Sequence, residues 1–268
     1  MKSEMRRFQS ALLSTLIPGI LLTTLLFVLF YLLVSGGYAL TLSYWFSSLP
    51  TGIRAFHYIL AALDMSDPVV FFSRFYQPVY FLLCLAACIL GGRCLNSDEC
   101  GLWELWYTIP GPRTRVFLRR YFGGLAVLAV LNLALLGVTI GFYTLLFIPN
   151  LSYISMYAII FLRMAVVEGI FYAIGILFSA CLHRSGKSAR LSVLVLLVLW
   201  GIALIPAFTG QASFLMYAAI PYYGIPEFAL QSGPFYSLLE GGILGAVFAC
   251  SSIAALFVYR RKQFCLHV

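Results

Sequence analysis

"ALLSTLIPGILLTTLLFVLFYLLV", residues 11–34, runs for 24 residues without a charge. A helix rises 1.5 Å per residue, so about 20 apolar residues cross a ~30 Å hydrocarbon core, and this run suffices. Lys2, Arg6 and Arg7 precede it, as basic residues precede a secretory signal. A signal core, however, runs to only ~7–15 residues, and no small-x-small cleavage site follows cleanly. The stretch predicts a retained membrane span.

Five further apolar runs follow, at about 69–91, 121–147, 153–181, 191–208 and 235–259. The 268 residues are 62% hydrophobic and only 10% charged, against roughly 25% charged in soluble domains. Backbone groups in lipid must be satisfied within the segment, and the runs are too long for barrel strands. The expected fold class is therefore all-α: a polytopic membrane protein of six spans, one transmembrane domain over 1–268.

Six spans put both ends of the chain on one side of the bilayer. Of the 17 Lys and Arg residues, 14 fall on that side. Arg54 and Arg74 face the other way, and Arg163 lies within a span. Excess Lys and Arg mark the cytoplasmic face, so the expected location is a cell membrane with both termini cytoplasmic. The net charge of +8 is then a topology signal and no sign of nucleic-acid binding. None of the seven cysteines falls in an outside loop, so no disulfide framework is implied. Cys94 and Cys100 lack the C-x-x-C spacing and the histidines of a zinc site.

Three segments outside the spans carry information. Residues 1–10 place Met1, Met5 and Phe8 at helical spacing, which predicts an amphipathic helix on the cytoplasmic surface. A tail whose charges only fix topology fits equally. Residues 209–234 hold short apolar pieces, "SFLMYAAI" and "EFAL", broken by Pro221, Gly224, Pro226, Gly233 and Pro234. Neither piece can span, so they read as re-entrant helices dipping into the outer leaflet.

Arg163 and Glu168 lie inside the fourth span, where ionisable groups are costly and face protein or water. Five residues apart, they point about 140° away from each other around the helix. Partners on other helices are expected, with Asn132 and Glu240 as candidates. Asn132, Arg163 and Glu168 are the candidate transport path; snorkelling of Arg163 and a structural hydrogen bond at Glu168 is the other reading. The sequence holds no H-E-x-x-H pair and no G-x-S-x-G. Gly186-Lys187-Ser188 imitates the end of a nucleotide-binding loop, but a span precedes it where a strand is required. It is expected to be a basic cytoplasmic turn, leaving the chain without an ATP site.

Between the second and third spans, "DECGLWELWYTIPGPRTRVFLRR" (98–120) breaks the apolar pattern with acids, arginines and two tryptophans. Glu99, Trp103 and Trp106 recur at i, i+4 and i+7, and Pro110-Gly111-Pro112 forms a strong stop. This predicts a short amphipathic helix within a cytoplasmic segment, 92–120. The helix is either an interfacial anchor or a dock for a soluble partner. The segment resembles the cytoplasmic loop of type-2 ATP-binding-cassette (ABC) transporter permeases, E-x-G-T-x-E-x-x-x-x-x-P-x-x-R. Glu99, Gly101, Glu104, Pro110 and Arg113 match in register, and Leu102 replaces the usual threonine. The order of a basic amino-terminal helix, six spans and broken helices between the fifth and sixth also agrees.

The resemblance implies a permease subunit of an exporter that pairs with a second permease copy or a related permease and with two cytoplasmic ATPase subunits. It makes 99–113 the coupling helix, with Trp103 and Trp106 on it. ATP and Mg would belong to the partner ATPase, and no cofactor to this chain. The competing expectation is an intramembrane enzyme or a self-sufficient ion-coupled carrier, which should show internal repeats and deep acids.

Overall fold

The computed structural model describes residues 2–38, 41, 44, 45, 48, 67–95, 113–148, 150–182, 185–209, 218–226 and 237–261. Among the described residues every regular element is helical, and six helices are long and apolar enough to cross a membrane. The elements are α1 (Lys2–Ser35), α2 (Pro68–Phe75), α3 (Gln77–Cys94), α4 (Arg113–Leu146), α5 (Leu151–Cys181), α6 (Ser185–Thr209), a 3-10 turn (Ile220–Gly224) and α7 (Leu238–Arg261).

α5 is the central column. Of its most apolar window, 78% is buried, against 22% for α1 and 17% for α7, and it packs on α2, α3, α4, α6, α7 and the 3-10 turn. A helix apolar on every face is what such a position requires. Asn150 starts it, its side chain accepting from the Ser152 amide at 3.0 Å.

The second span is interrupted. The apolar run expected over 69–91 is divided at Tyr76 into α2 and α3. Pro78 has no amide hydrogen for the Arg74 carbonyl, and its ring crowds that carbonyl, so the ladder breaks one turn into the span. Asp67 caps α2 by accepting from the amides of Val69 and Val70 at 2.8 and 3.3 Å, with Pro68 at the first helical position.

Three boundaries differ from expectation. α1 is one helix of 34 residues from Lys2, so the helix expected over 1–10 is continuous with the first span. Its length of about 50 Å exceeds a ~30 Å core by several turns. α4 begins at Arg113, ahead of the span expected over 121–147, so Arg115, Arg119 and Arg120 ride on its first turns; arginine is a good helix former, and its stem allows the head to reach water. Gly186, Lys187 and Ser188 lie in the first turn of α6 rather than in a turn between spans.

Arg93, Arg115, Arg119, Arg120, Lys187, Arg190, Arg260 and Arg261 gather where α3, α5 and α7 end and α4 and α6 begin. Several contacts knit this basic end. Arg260 Nε donates to Thr114 Oγ1 at 3.1 Å, and Ser188 Oγ donates to the Gly92 carbonyl at 2.5 Å. At the opposite end the 3-10 turn is buried throughout, and the Tyr80 hydroxyl donates to the Pro221 carbonyl at 2.8 Å.

Glycine lets α3, α5 and α6 cross at the basic end almost backbone to backbone. A β-carbon on Gly175 would stand 2.8 Å from the Gly92 amide nitrogen and 2.9 Å from the Cys88 carbonyl oxygen. One on Gly92 would stand 2.6 Å from Ala189 Cα, and one on Gly91 would collide with the Tyr172 carbonyl. Small residues at such crossings let van der Waals packing hold helices together where lipid supplies no hydrophobic drive.

Candidate functional site

Asn132 and Glu168 are brought together inside the bundle. The face of α4 formed by Leu128, Leu131 and Leu135 is buried, and Asn132 projects from it. Its Nδ2 donates to Glu168 Oε2 at 2.7 Å and to the Leu128 carbonyl one turn back at 3.0 Å. Glu168 is 0% exposed and Asn132 5%. The other oxygen of each side chain, Glu168 Oε1 and Asn132 Oδ1, is buried with no hydrogen-bond partner. Nearly all buried polar atoms in proteins are paired, so two adjacent acceptors without donors are an unusual feature. Chemically, they can accept from a hydroxyl, an ammonium or water.

Thr23 Oγ1, on α1, donates to the Gly19 carbonyl at 2.8 Å and lies 3.5 Å from the Tyr76 hydroxyl. Arg163 is buried at 1% exposure and stands about 140° around α5 from Glu168. Glu240 is no partner either. It belongs to a capping box at the start of α7, where Glu240 Oε2 accepts from the Ser237 amide at 2.8 Å and Ser237 Oγ accepts from the Glu240 amide at 3.3 Å. S-x-x-E before an apolar run is the sequence signal for this arrangement.

α4, α5 and α7 form an open apolar groove of about 420 Å³, lined by residues including Leu125, Gly169, Ile170, Gly245 and Phe248. The Glu168 carboxyl is not part of its lining.

Of the residues expected to couple to an ATPase, Glu99, Gly101, Trp103, Glu104, Trp106 and Pro110 lie outside the described residues, and Arg113 is placed only as the first residue of α4. The described residues at the two ends of the segment bond to α5 and α4. At its start, the Leu95 amide donates to Ser179 Oγ on α5 at 3.0 Å, and the Leu95 carbonyl accepts from Arg120 Nη1 on α4 at 3.1 Å. At its far end, the Tyr172 hydroxyl of α5 donates to the carbonyls of Arg120 and Tyr121 at 3.2 and 3.1 Å. Cys94 Sγ completes the cluster, 3.4 Å from the Tyr172 hydroxyl and 3.5 Å from the Arg120 carbonyl. Gly124 makes room: a β-carbon there would overlap the Tyr172 hydroxyl.

Sequence reasoning did not single out Tyr172, Ser179 or Gly124. A tyrosine among apolar residues reads as core filler, and its hydroxyl has no signature spacing to the backbone carbonyls it finds. Among the described residues no cluster of three metal-ligating side chains occurs. No family model matches the chain, and no curated protein matches it.

Proposed function

We propose that this chain is the membrane-spanning permease subunit of an ATP-driven exporter, working with a second permease copy or a related permease and with separate cytoplasmic ABC ATPase subunits. The observation that carries the reading is the register Glu99-x-Gly101-x-x-Glu104, Pro110 and Arg113 between the second and third spans. Both flanks of that segment are hydrogen-bonded to α5, which supports a role in passing force from a partner into the bundle. In this reading 99–113 is the coupling helix, the basic end is cytoplasmic in a cell membrane, and 209–234 forms re-entrant helices on the far side. Asn132, Arg163 and Glu168 border the translocation path. ATP and Mg bind the partner.

Purification of the tagged full chain from its native membrane in mild detergent tests the reading. A bound ABC ATPase with vanadate-sensitive ATP hydrolysis is the expected result; a chain that purifies without ATPase activity contradicts it.

One observation favours a second reading, an ion-coupled carrier: the buried, unpartnered oxygens of Glu168 and Asn132. A self-sufficient carrier predicts no associated ATPase, so the same purification separates the two.

Topology provides an independent test. With the native cysteines replaced, a thiol at Ser97 is expected to stay unlabelled by an impermeant reagent in intact cells, because Lys and Arg crowd that side. Labelling at Ser97 inverts the orientation and removes an ATPase from reach of the segment.

A further inference from the structure

Three contacts join α4 and α7 at the basic end. Arg260 Nε donates to Thr114 Oγ1 at 3.1 Å, the ring centroids of Phe117 and Tyr259 lie 5.7 Å apart, and the hydroxyls of Tyr121 and Ser252 are 2.7 Å apart. Residue numbers rise along one helix as they fall along the other, so the pair is antiparallel. Each step along a right-handed helix turns the chain by about 100°. In an antiparallel pair, the residues one step past the contact residues therefore emerge on the same side. On α4 these are Arg115, Leu118 and Phe122, and on α7 Ile253 and Arg260, with Phe257 between them on the same face. All six are exposed. The arginines stand nearest the helix ends, and the four apolar side chains follow them toward the middle of the bundle. About 15 Å along α4 from Arg115, at Leu125, the open apolar groove begins, with Gly169 and Ile170 of α5 at its floor.

We infer that this face binds one anionic phospholipid of the leaflet at the basic end: Arg115 and Arg260 hold its phosphate, and an acyl chain runs over Leu118 and Phe122 into the groove. Two positive charges on one face repel unless an anion lies between them. A phosphate oxygen accepts strong, charge-assisted hydrogen bonds from guanidinium groups, and basic pockets between membrane helices on the cytoplasmic side hold anionic headgroups in this way. A zwitterionic headgroup carries the same phosphate, but its ammonium brings a third positive charge to the site. The apolar row beneath the arginines and the wholly apolar lining of the groove match a hydrocarbon chain. A free phosphate would use the arginines and leave both unused.

Native mass spectrometry of the full chain, released from micelles holding equal amounts of phosphatidylglycerol and phosphatidylcholine with the same acyl chains, tests the site. The parent is expected to retain phosphatidylglycerol in preference, on the order of tenfold, given the attraction of each arginine to anionic lipid. Arg115→Gln/Arg260→Gln should retain the two lipids alike. Arg115→Glu, at an exposed position, should do the same with the Arg260–Thr114 contact intact, and covers the case in which the double variant does not fold. Lys187→Gln/Arg190→Gln removes the same charge from exposed positions at the start of α6 and should keep the parental preference. Gly245→Leu fills the groove, where an added β-carbon meets nothing within 4 Å, and should lower retention of both lipids severalfold. Equal retention of the two lipids by the parent overturns the inference, as does unchanged retention in Gly245→Leu. A preference that survives in Arg115→Glu, or is lost equally in Lys187→Gln/Arg190→Gln, also overturns it, since diffuse charge then suffices. A parent that arrives as a lipid-free dimer, in a proportion that Arg115→Glu changes, gives the face to a second copy and overturns it too. No ATPase takes part in the site or its test.

Discussion

Gly175→Val is expected to leave almost no folded protein in the membrane. The atoms that a β-carbon at Gly175 would meet belong to the backbone of α3, at Cys88, Gly91 and Gly92, and a backbone cannot swing aside as a side chain can. Overpacking in an adaptable core costs about 1–3 kcal/mol; here two helices must separate, which opens the crossing that also holds Ser188 against Gly92. Gly92→Val should act similarly, because its β-carbon meets Ala189 of α6. Gly137 and Gly201 are the controls, with nothing within 4 Å of an added β-carbon. There alanine should be tolerated or stabilise by up to ~1 kcal/mol, since glycine in a helix interior is unfavourable. Yield of monodisperse protein and its thermal midpoint in detergent measure both. Parental behaviour of Gly175→Val would mean that α3 and α5 do not cross as described.

The second large effect concerns the buried pair. Asn132→Leu removes the donor from a carboxyl that is wholly buried and leaves Glu168 without a hydrogen bond. Orphaning a buried polar group costs about 1–3 kcal/mol, more if it is charged. The double variant Asn132→Leu/Glu168→Leu should recover much of that loss, because replacing both partners by apolar groups removes the desolvation cost along with the bond. Glu168→Gln is expected to fold at parental yield, since its carbonyl oxygen still accepts from Asn132 Nδ2 and its amide can donate to Asn132 Oδ1. Its ATP hydrolysis in complex should nevertheless fall by about tenfold if the carboxyl serves the cycle. Glu168→Asp, one methylene shorter, should lose yield if the role is only structural. Equal yield and equal ATP hydrolysis in the Gln variant would leave Glu168 a purely structural residue.

Helix count and class were legible because membrane crossing imposes a length and a composition that few other structures share. The position of α5 at the centre was less legible, since lipid and protein interior are both apolar and a buried span differs little from a lipid-facing one in composition. Glu168 and Asn132 could be matched as partners because charge inside lipid demands one. Glu240, at the edge of a span, was equally plausible by that argument, but an acid three residues after a serine at a helix start is better satisfied locally. Pro78 sits within an apolar run, and its break at Tyr76 follows from the missing amide hydrogen and the crowding ring. The Tyr172 cluster was hidden because its acceptors are backbone carbonyls, which every residue possesses.

In the proposed function, residues 99–113 would transmit force between a partner ATPase and the bundle. Under that proposal Glu104 would offer a charge to a basic partner surface, and Pro110 would end the helix expected ahead of α4. The alternative, an interfacial anchor, assigns the main role to Trp103 and Trp106 through membrane stability. ATP hydrolysis by the purified complex, measured for the parent and the Glu104→Ala, Pro110→Ala and Trp103→Ala/Trp106→Ala variants alongside thermal stability, separates them most directly. Coupling predicts normal insertion and unchanged stability in the Glu104 and Pro110 variants, with ATP hydrolysis at least tenfold lower or no longer responsive to the permease. Parental ATP hydrolysis in both, with loss confined to an unstable tryptophan variant, would contradict the claim.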